Sequence, residues 1–172
     1  MPITITATDS DFEREPLIRP FGFKGGYLTG IWQSAARMQS SGGKDAIGIA
    51  SQSVLWSDAA VFAAHSESAG NALMYAMTAR ALEIAEGMTF ETPLDLLDAV
   101  LDEVYEYGVT ITGNPSLRRT FALNALVAVD NAAWILYARQ NGIGTFDDLI
   151  PARYRYALGY RHTRVAAIPL MA

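Results

Sequence analysis

Five acids, Glu91, Asp95, Asp98, Asp102 and Glu106, recur at spacings of 4, 3, 4 and 4, which lines them up on one face of a helix. Clustered carboxylates suit a hard cation such as Mg²⁺. A row along a helix surface spreads rather than converges, however, and an apolar stripe lies opposite, so a solvated face is expected. The segment Arg153-Tyr154-Arg155-Tyr156 with Tyr160-Arg161-His162-Thr163-Arg164 interleaves rings and cations, a composition suited to stacking on bases and contacting phosphates. Its alternative is a linker with tyrosines packed inward. The stretch Gly22–Gly30 places four glycines around Lys24, with Phe21, Phe23, Tyr27 and Trp32 close by. It lacks the spacing of a nucleotide phosphate loop. A glycine-hinged lid that closes apolar and cationic side chains over a ligand fits better, beside the alternative of an ordinary hairpin loop. His65 sits at helical spacing among alanines and reads as packing. Asp130 lies inside an apolar run, Ala125–Trp134, where a buried carboxylate needs hydrogen bonds, so structural anchoring is expected of it.

The elements that must position these residues belong to a chain of 172 residues, 51% hydrophobic and 18% charged, enough for one domain with a core of its own. Without cysteine there is no disulfide, thiol nucleophile or thiolate metal site, and the two histidines, His65 and His162, form no metal motif. No uninterrupted apolar run reaches the roughly 18 residues of a membrane span, and Met1–Thr4 opens no signal peptide. A cytoplasmic globular protein is therefore expected. All 18 acids lie in residues 1–150 with nine of the 13 basic residues, whereas residues 151–172 hold four arginines and no acid. The acidic body argues against nucleic acid as the partner, because it repels the phosphate backbone.

Alternation in Ile3–Thr8 predicts a strand, followed by an extended, proline-limited stretch at Pro16–Phe21 and a mobile loop to Gly30. Further strands are expected at 31–39 and 46–50, around the turn Ser40–Asp45. Helices follow at 57–86 with Ser57 as N-cap, at 92–107 closed by Gly108, and at 115–140. Gly70-Asn71 is a candidate break in the first of them. Leu94, Leu97, Val100, Leu101 and Val104 give the second its apolar stripe. Short turns at Thr145–Leu149 and Pro151–Leu158 lead to Val165–Ala172, an apolar run that reads as a buried strand of a second sheet.

This order of elements resembles the N-terminal half of the enolase superfamily, and more narrowly the mandelate racemase/muconate lactonizing group. The stretch Ala125–Arg139 is similar to that family's Ala-Ile-Asp-x-Ala-Leu-Trp-Asp-Leu-x-Gly-Lys helix. Asp130 and Trp134 match it, Ile135 replaces the second Asp, and Arg139 stands where lysine is usual. Asn141–Gly144 and Asp147–Ile150 look like the link into the family's barrel. Gly48-Ile49-Ala50-Ser51 departs from the family's Gly-x-Gly-Glu by lacking the glutamate. The resemblance implies that metal-binding carboxylates and acid/base residues sit on later barrel strands, so no position here inherits a catalytic or metal role. It also implies two lid segments over a barrel mouth, Phe21–Gly30 and roughly Ser51–Trp56, with Phe23, Lys24, Tyr27 and Trp56 as lid candidates. Asp130 and Trp134 take structural roles.

The expected fold is α+β, a three-stranded antiparallel meander followed by a helical bundle. Residues 1–150 form the capping domain, and 151–172 a linker and first barrel-like strand of a truncated enzyme. The expected function is to cap, and to set substrate choice in, a Mg²⁺-dependent enzyme that removes a proton α to a carboxylate. That covers racemases, epimerases, dehydratases and cycloisomerases acting on a small carboxylate substrate. The expected partner is a barrel domain or a second polypeptide carrying it, with a homo-oligomer as a further possibility. The alternative is a non-catalytic interaction or nucleic-acid-binding module using the Arg/Tyr tail.

Overall fold

The computed structural model describes residues 1–23, 25–158 and 160–167. Its sheet is antiparallel with order β3-β2-β1-β4, built from β1 (Ile3–Phe23), β2 (Gly26–Ser40), β3 (Asp45–Gln52) and the short β4 (Thr89–Phe90). The three-stranded meander is present. The fourth strand arises because Thr89 and Phe90, after the αL residue Gly87, pair with Thr4 and Ile3. Five helices follow β3: α1 (Val54–Ser57), α2 (Ala59–Ala85), α3 (Pro93–Thr112), α4 (Arg119–Asn141) and α5 (Arg155–Leu158).

Alternation places one face of the sheet in the core. Trp32, Ser34, Ala36, Met38 and Ser40 of β2, with Ala46, Gly48, Ala50 and Gln52 of β3, point inward. The other face keeps Asp9, Asp11, Glu13 and Glu15 in water. Helices α2 and α4 lie on the inner face, and α3 packs behind them. Gln52 Nε2 donates to Thr78 Oγ1 at 2.8 Å, and that hydroxyl donates to the Ala125 carbonyl at 2.7 Å, tying β3, α2 and α4 together below the surface.

Helix α4 has the length and mean hydropathy, 1.4 over an 18-residue window, of a membrane span, although Asp130 and Arg139 interrupt its apolar residues. Half of that window is buried in the protein, the packing of a core helix. Its close approach to β3 is permitted by Gly48. Its polar side chains also reach the edge strand: Asn131 Nδ2 donates to the Ile49 carbonyl at 2.9 Å, Asn124 Nδ2 to the Ser51 carbonyl at 3.4 Å, and Arg139 to the Asp45 carbonyl. The exposed edge of the sheet is thereby covered by side chains, which removes acceptors that a foreign strand would use.

Several boundaries differ from expectation for identifiable reasons. The N-cap of α2 is Asp58, not Ser57: its Oδ1 accepts from Ala60 N and Val61 N, and its Oδ2 from Arg118 N at the start of α4. Gly108 does not close α3. It is buried inside the helix, where an added Cβ would lie 2.4 Å from Met77 Cε, and the helix ends at Gly113 in the left-handed region. The buried stripe of α3 is Leu96, Val100 and Val104, with Leu97 and Leu101 at its margin and Leu94 half-buried. Gly70-Asn71 does not break α2 either. The interruption comes at Ser66, with φ 70° and ψ 167°.

Candidate functional site

The stretch Gly22–Gly30, expected to be a mobile loop, is largely part of the β1–β2 hairpin among the described residues. Phe21 pairs with Leu28, Gly22 with Tyr27 and Phe23 with Gly26. Its glycines divide: Gly25 takes the left-handed φ of 81° with open space around it, and Gly26 serves close approach. A Cβ on Gly26 would lie 2.8 Å from Phe62 Cε1 and 3.2 Å from Leu55 Cδ2. This arm of the hairpin therefore rests on α1 and the start of α2, and the two expected lid segments meet there.

The second segment is held from below. Ser51 and Gln52 finish β3, Ser53 turns the chain, and α1 carries Trp56 outward, 63% exposed. Three side chains anchor this single turn through four hydrogen bonds. Asn124 Oδ1 accepts from Ser53 N and Ser57 Oγ, each at 3.1 Å. Asn71 Oδ1 accepts from Val54 N at 3.0 Å, and Thr120 Oγ1 donates to the Ser57 carbonyl at 2.8 Å. A Cβ on Gly70 would meet Val54 Cγ2 at 2.5 Å, so Gly70-Asn71 is the seat of α1.

Of the lid candidates, Tyr27 projects from the arm and is 69% exposed. Phe23 is in β1; its side chain, and Lys24 altogether, lie outside the described residues. The arm is fixed to α2 by a residue that carries no local sequence signal. Glu67 accepts from Thr29 N at 3.0 Å, Thr29 Oγ1 at 2.7 Å and Gly30 N at 3.1 Å. On the other side of the Ser66 kink, His65 Nε2 lies 3.0 Å from the Thr112 carbonyl, in keeping with a packing role.

Asp130 and Trp134 line a cavity of about 510 Å³ between α4 and the linker residues Phe146, Leu149, Ile150 and Pro151. Asp130 Oδ1 is buried with no hydrogen-bond partner among the described residues. Burial pushes its carboxyl above the usual range, and the Trp134 side chain offsets this in part. A raised acid pKa in the fold means that the folded state disfavours the ion. Stability is fully present below the ordinary carboxylate range and declines as pH rises through the raised value. Asp130→Asn is therefore expected to raise the melting temperature at pH 7 and to lose that gain at pH 3. Thermal melts at the two pH values check it, and an equal shift at both would contradict the sign.

The acidic row on α3 stays on the surface and is partly used for ion pairs. Asp102 meets Arg119 at 2.7 Å. Asp95 accepts from Thr92 N and Oγ1, each at 2.8 Å, and from Arg153. The Arg153 guanidinium first, and then Thr92, hold its carboxyl below the ordinary range. The tail arginines are engaged too: besides Arg153, Arg155 donates to the Ile150 carbonyl and Arg161 pairs with Asp147. Val165–Ala167 are irregular and exposed, and residues 168–172 of the expected barrel strand lie outside the described residues. Among the described residues, no three acidic or histidine side chains come together as metal ligands.

No protein-family model matches the chain, and no curated protein matches it by sequence. Solved structures do match its fold. L-talarate dehydratase from Polaromonas sp. JS666, complexed with Mg and L-glucarate, superposes with a TM-score of 0.52 at 20% identity over 81% of this chain and 33% of its own. A mandelate racemase/muconate lactonizing enzyme from the same organism gives 0.51 at 21% identity over 81% of this chain and 31% of its own. An enolase from the alphaproteobacterium bal199 with bound Mg gives 0.51 at 12% identity, over 81% and 32%. The sheet followed by helices is an α+β unit. The fold is similar to that of part of these enzymes, and the chain spans about a third of the length of the structures it matches.

Proposed function

We propose that this chain is the lid of an enolase-superfamily enzyme that removes a proton α to the carboxylate of a small acid, in the manner of its racemases, epimerases, dehydratases and cycloisomerases. The observation that supports this reading is the contact of Gly26 with Leu55 and Phe62, which brings the two lid segments together, each carrying an exposed aromatic residue, Tyr27 and Trp56. A barrel carried elsewhere, in a longer polypeptide or a second one, supplies the catalytic groups. Exposed Leu123 and Val127 on α4, with the Asp130–Trp134 cavity further along the same helix, offer it apolar area to cover.

Mg²⁺ in such an enzyme stabilises the enolate. Among the described residues no three acidic or histidine side chains fit a site for it, and in this reading its ligands are carried by the barrel. This chain's own part is to exclude water and shape the space around the distal end of the substrate. Trp56 stands on a turn anchored by Asn71, Thr120 and Asn124, which lowers the ordering cost of contact. The engagement of Arg153, Arg155 and Arg161 within the protein favours this reading over a nucleic-acid module.

In the assembled enzyme, Trp56→Ala and Tyr27→Ala are expected to change the ratio of kcat/KM between two carboxylate substrates of different size by about tenfold, the scale of one lost pocket contact. Metal affinity should stay unchanged. Competition assays with paired substrates read this directly. An equal loss for both substrates would remove these residues from substrate choice.

A further inference from the structure

Leu123, Val127, Asp130 and Trp134 recur along α4 at spacings of 4, 3 and 4, and therefore share one face of the helix. Leu123 and Val127 are exposed, whereas Asp130 and Trp134 open onto the cavity of about 510 Å³ that Phe146 and Pro151 border from the linker side. That volume is in the range of sites that enclose a small organic group.

Three polar side chains line this cavity, and two of them are committed elsewhere. Asn131 Nδ2 donates to the Ile49 carbonyl at 2.9 Å, and Arg161 pairs with Asp147. The next cation along the helix, Arg139, donates to the Asp45 carbonyl. Asp130 alone is left over. It forms no ion pair among the described residues, and its Oδ1 is buried with no hydrogen-bond partner among them. Compensation for its charge therefore has to reach the carboxyl from the cavity side.

A carboxylate held among apolar groups without a cation is costly, and side chains that face a cavity lack dispersion partners on one side. Both deficits lie in one place, and one group repairs both: a cation at the end of an apolar stem. Guanidinium suits the place better than ammonium. It is planar, more weakly hydrated and stacks on rings, and Trp134 and Phe146 supply rings beside the carboxylate.

We infer that the cavity beside Asp130 seats one arginine side chain of the polypeptide that covers α4, its guanidinium on the Asp130 carboxylate and its apolar neighbours on Leu123 and Val127. The stability that Asp130→Asn is expected to gain at pH 7 is then the cost of keeping a binding group unpaired. The inference rests on the lid reading for the existence of that polypeptide, but Asp130 and not Tyr27 or Trp56 recognises it. The substrate-choice test can therefore fail while this one succeeds, and the reverse.

NMR titration of the purified chain 1–172 with the peptide acetyl-Leu-Arg-Leu-amide tests it, read at the indole N–H of Trp134. Saturable shifts are expected, with affinity about tenfold or more above that of the same peptide with citrulline for arginine, which keeps the shape without the charge. Asp130→Asn, which is expected to fold, should bind the two peptides alike. In the parent chain the arginine peptide should lower the midpoint at which the Asp130 carboxyl titrates, because an opposite charge favours the ion. No saturable shift, equal affinity of the parent chain for both peptides, or a preference that survives in Asp130→Asn would each overturn the inference. Binding of n-butylguanidinium as tightly as the arginine peptide would give the cavity to a free small cation and overturn it too. So would a rise of the Asp130 midpoint in Arg161→Gln as large as the fall the peptide produces, since Arg161 would then be the partner.

Discussion

Gly48→Ala is expected to leave little folded protein under conditions where the parent chain is fully folded. The added methyl would lie 2.1 Å from the Ala128 carbonyl oxygen, 2.3 Å from Ala132 N and 2.9 Å from the Asn131 carbonyl carbon. All three are helix backbone, so no side chain can swing aside. The strand and α4 must separate instead, over the whole length on which α4 covers β3. Overpacking of this kind costs about 1–3 kcal/mol and occasionally more. Separation also uncovers the Ile49, Ser51 and Asp45 carbonyls now met by Asn131, Asn124 and Arg139. Each lost bond adds about 1 kcal/mol. Against a total stability of about 5–15 kcal/mol, a loss of about 3 kcal/mol or more is a large fraction. Urea unfolding measures it. Gly144→Ala is the control, because nothing lies within 4 Å of its added methyl. Coincident midpoints for the two variants would show that α4 does not press on β3 as described.

Gly48 also shows which parts of this molecule are legible in its sequence. It was placed inside a strand, and nothing local marks it as the contact point for a helix about 80 residues later. Periodicity carried what depends on neighbours in the chain: the alternation of β1 to β3, the capping of α3 at Thr92-Pro93, and the extent of α4 to within a few residues. It failed where a residue answers a distant partner. Gly108 and Gly70 look like helix breakers from their own propensity, yet each makes room for a side chain, Met77 and Val54, that only the fold supplies. Gly26 of the arm reads as flexibility for the same reason, since Leu55 and Phe62 reach it only in the fold.

The site divides along the same line. Tyr27 stands in a glycine-rich stretch with a lysine and neighbouring rings, which suggests a lid, whereas Trp56 is marked only by the family resemblance that places a second lid segment at Ser51–Trp56. Their supports were missed. Asn124, a lone polar residue within Phe121–Val129 of an apolar helix, is a signal of the kind that Asp130 also gave, and it holds α1. Glu67 gave no such signal, since an acid on a helix surface is ordinary until Thr29 and Gly30 are brought beside it.

The central claim is that this chain shapes a site whose chemistry resides elsewhere. Proton abstraction α to a carboxylate needs a base within hydrogen-bond reach and charge stabilisation of the enolate. Among the described residues near the lid segments no such pair comes together: His65 is turned to the Thr112 carbonyl and Glu67 to three donors of β2. The most direct measurement is solvent-deuterium exchange at the α-carbon of a panel of small hydroxy and sugar acids, followed by NMR with Mg²⁺ and purified chain 1–172. The account predicts exchange no faster than buffer with Mg²⁺ alone, for every member of the panel. Exchange above that background, saturating with substrate and surviving repurification, would place catalytic groups within this chain and contradict the account.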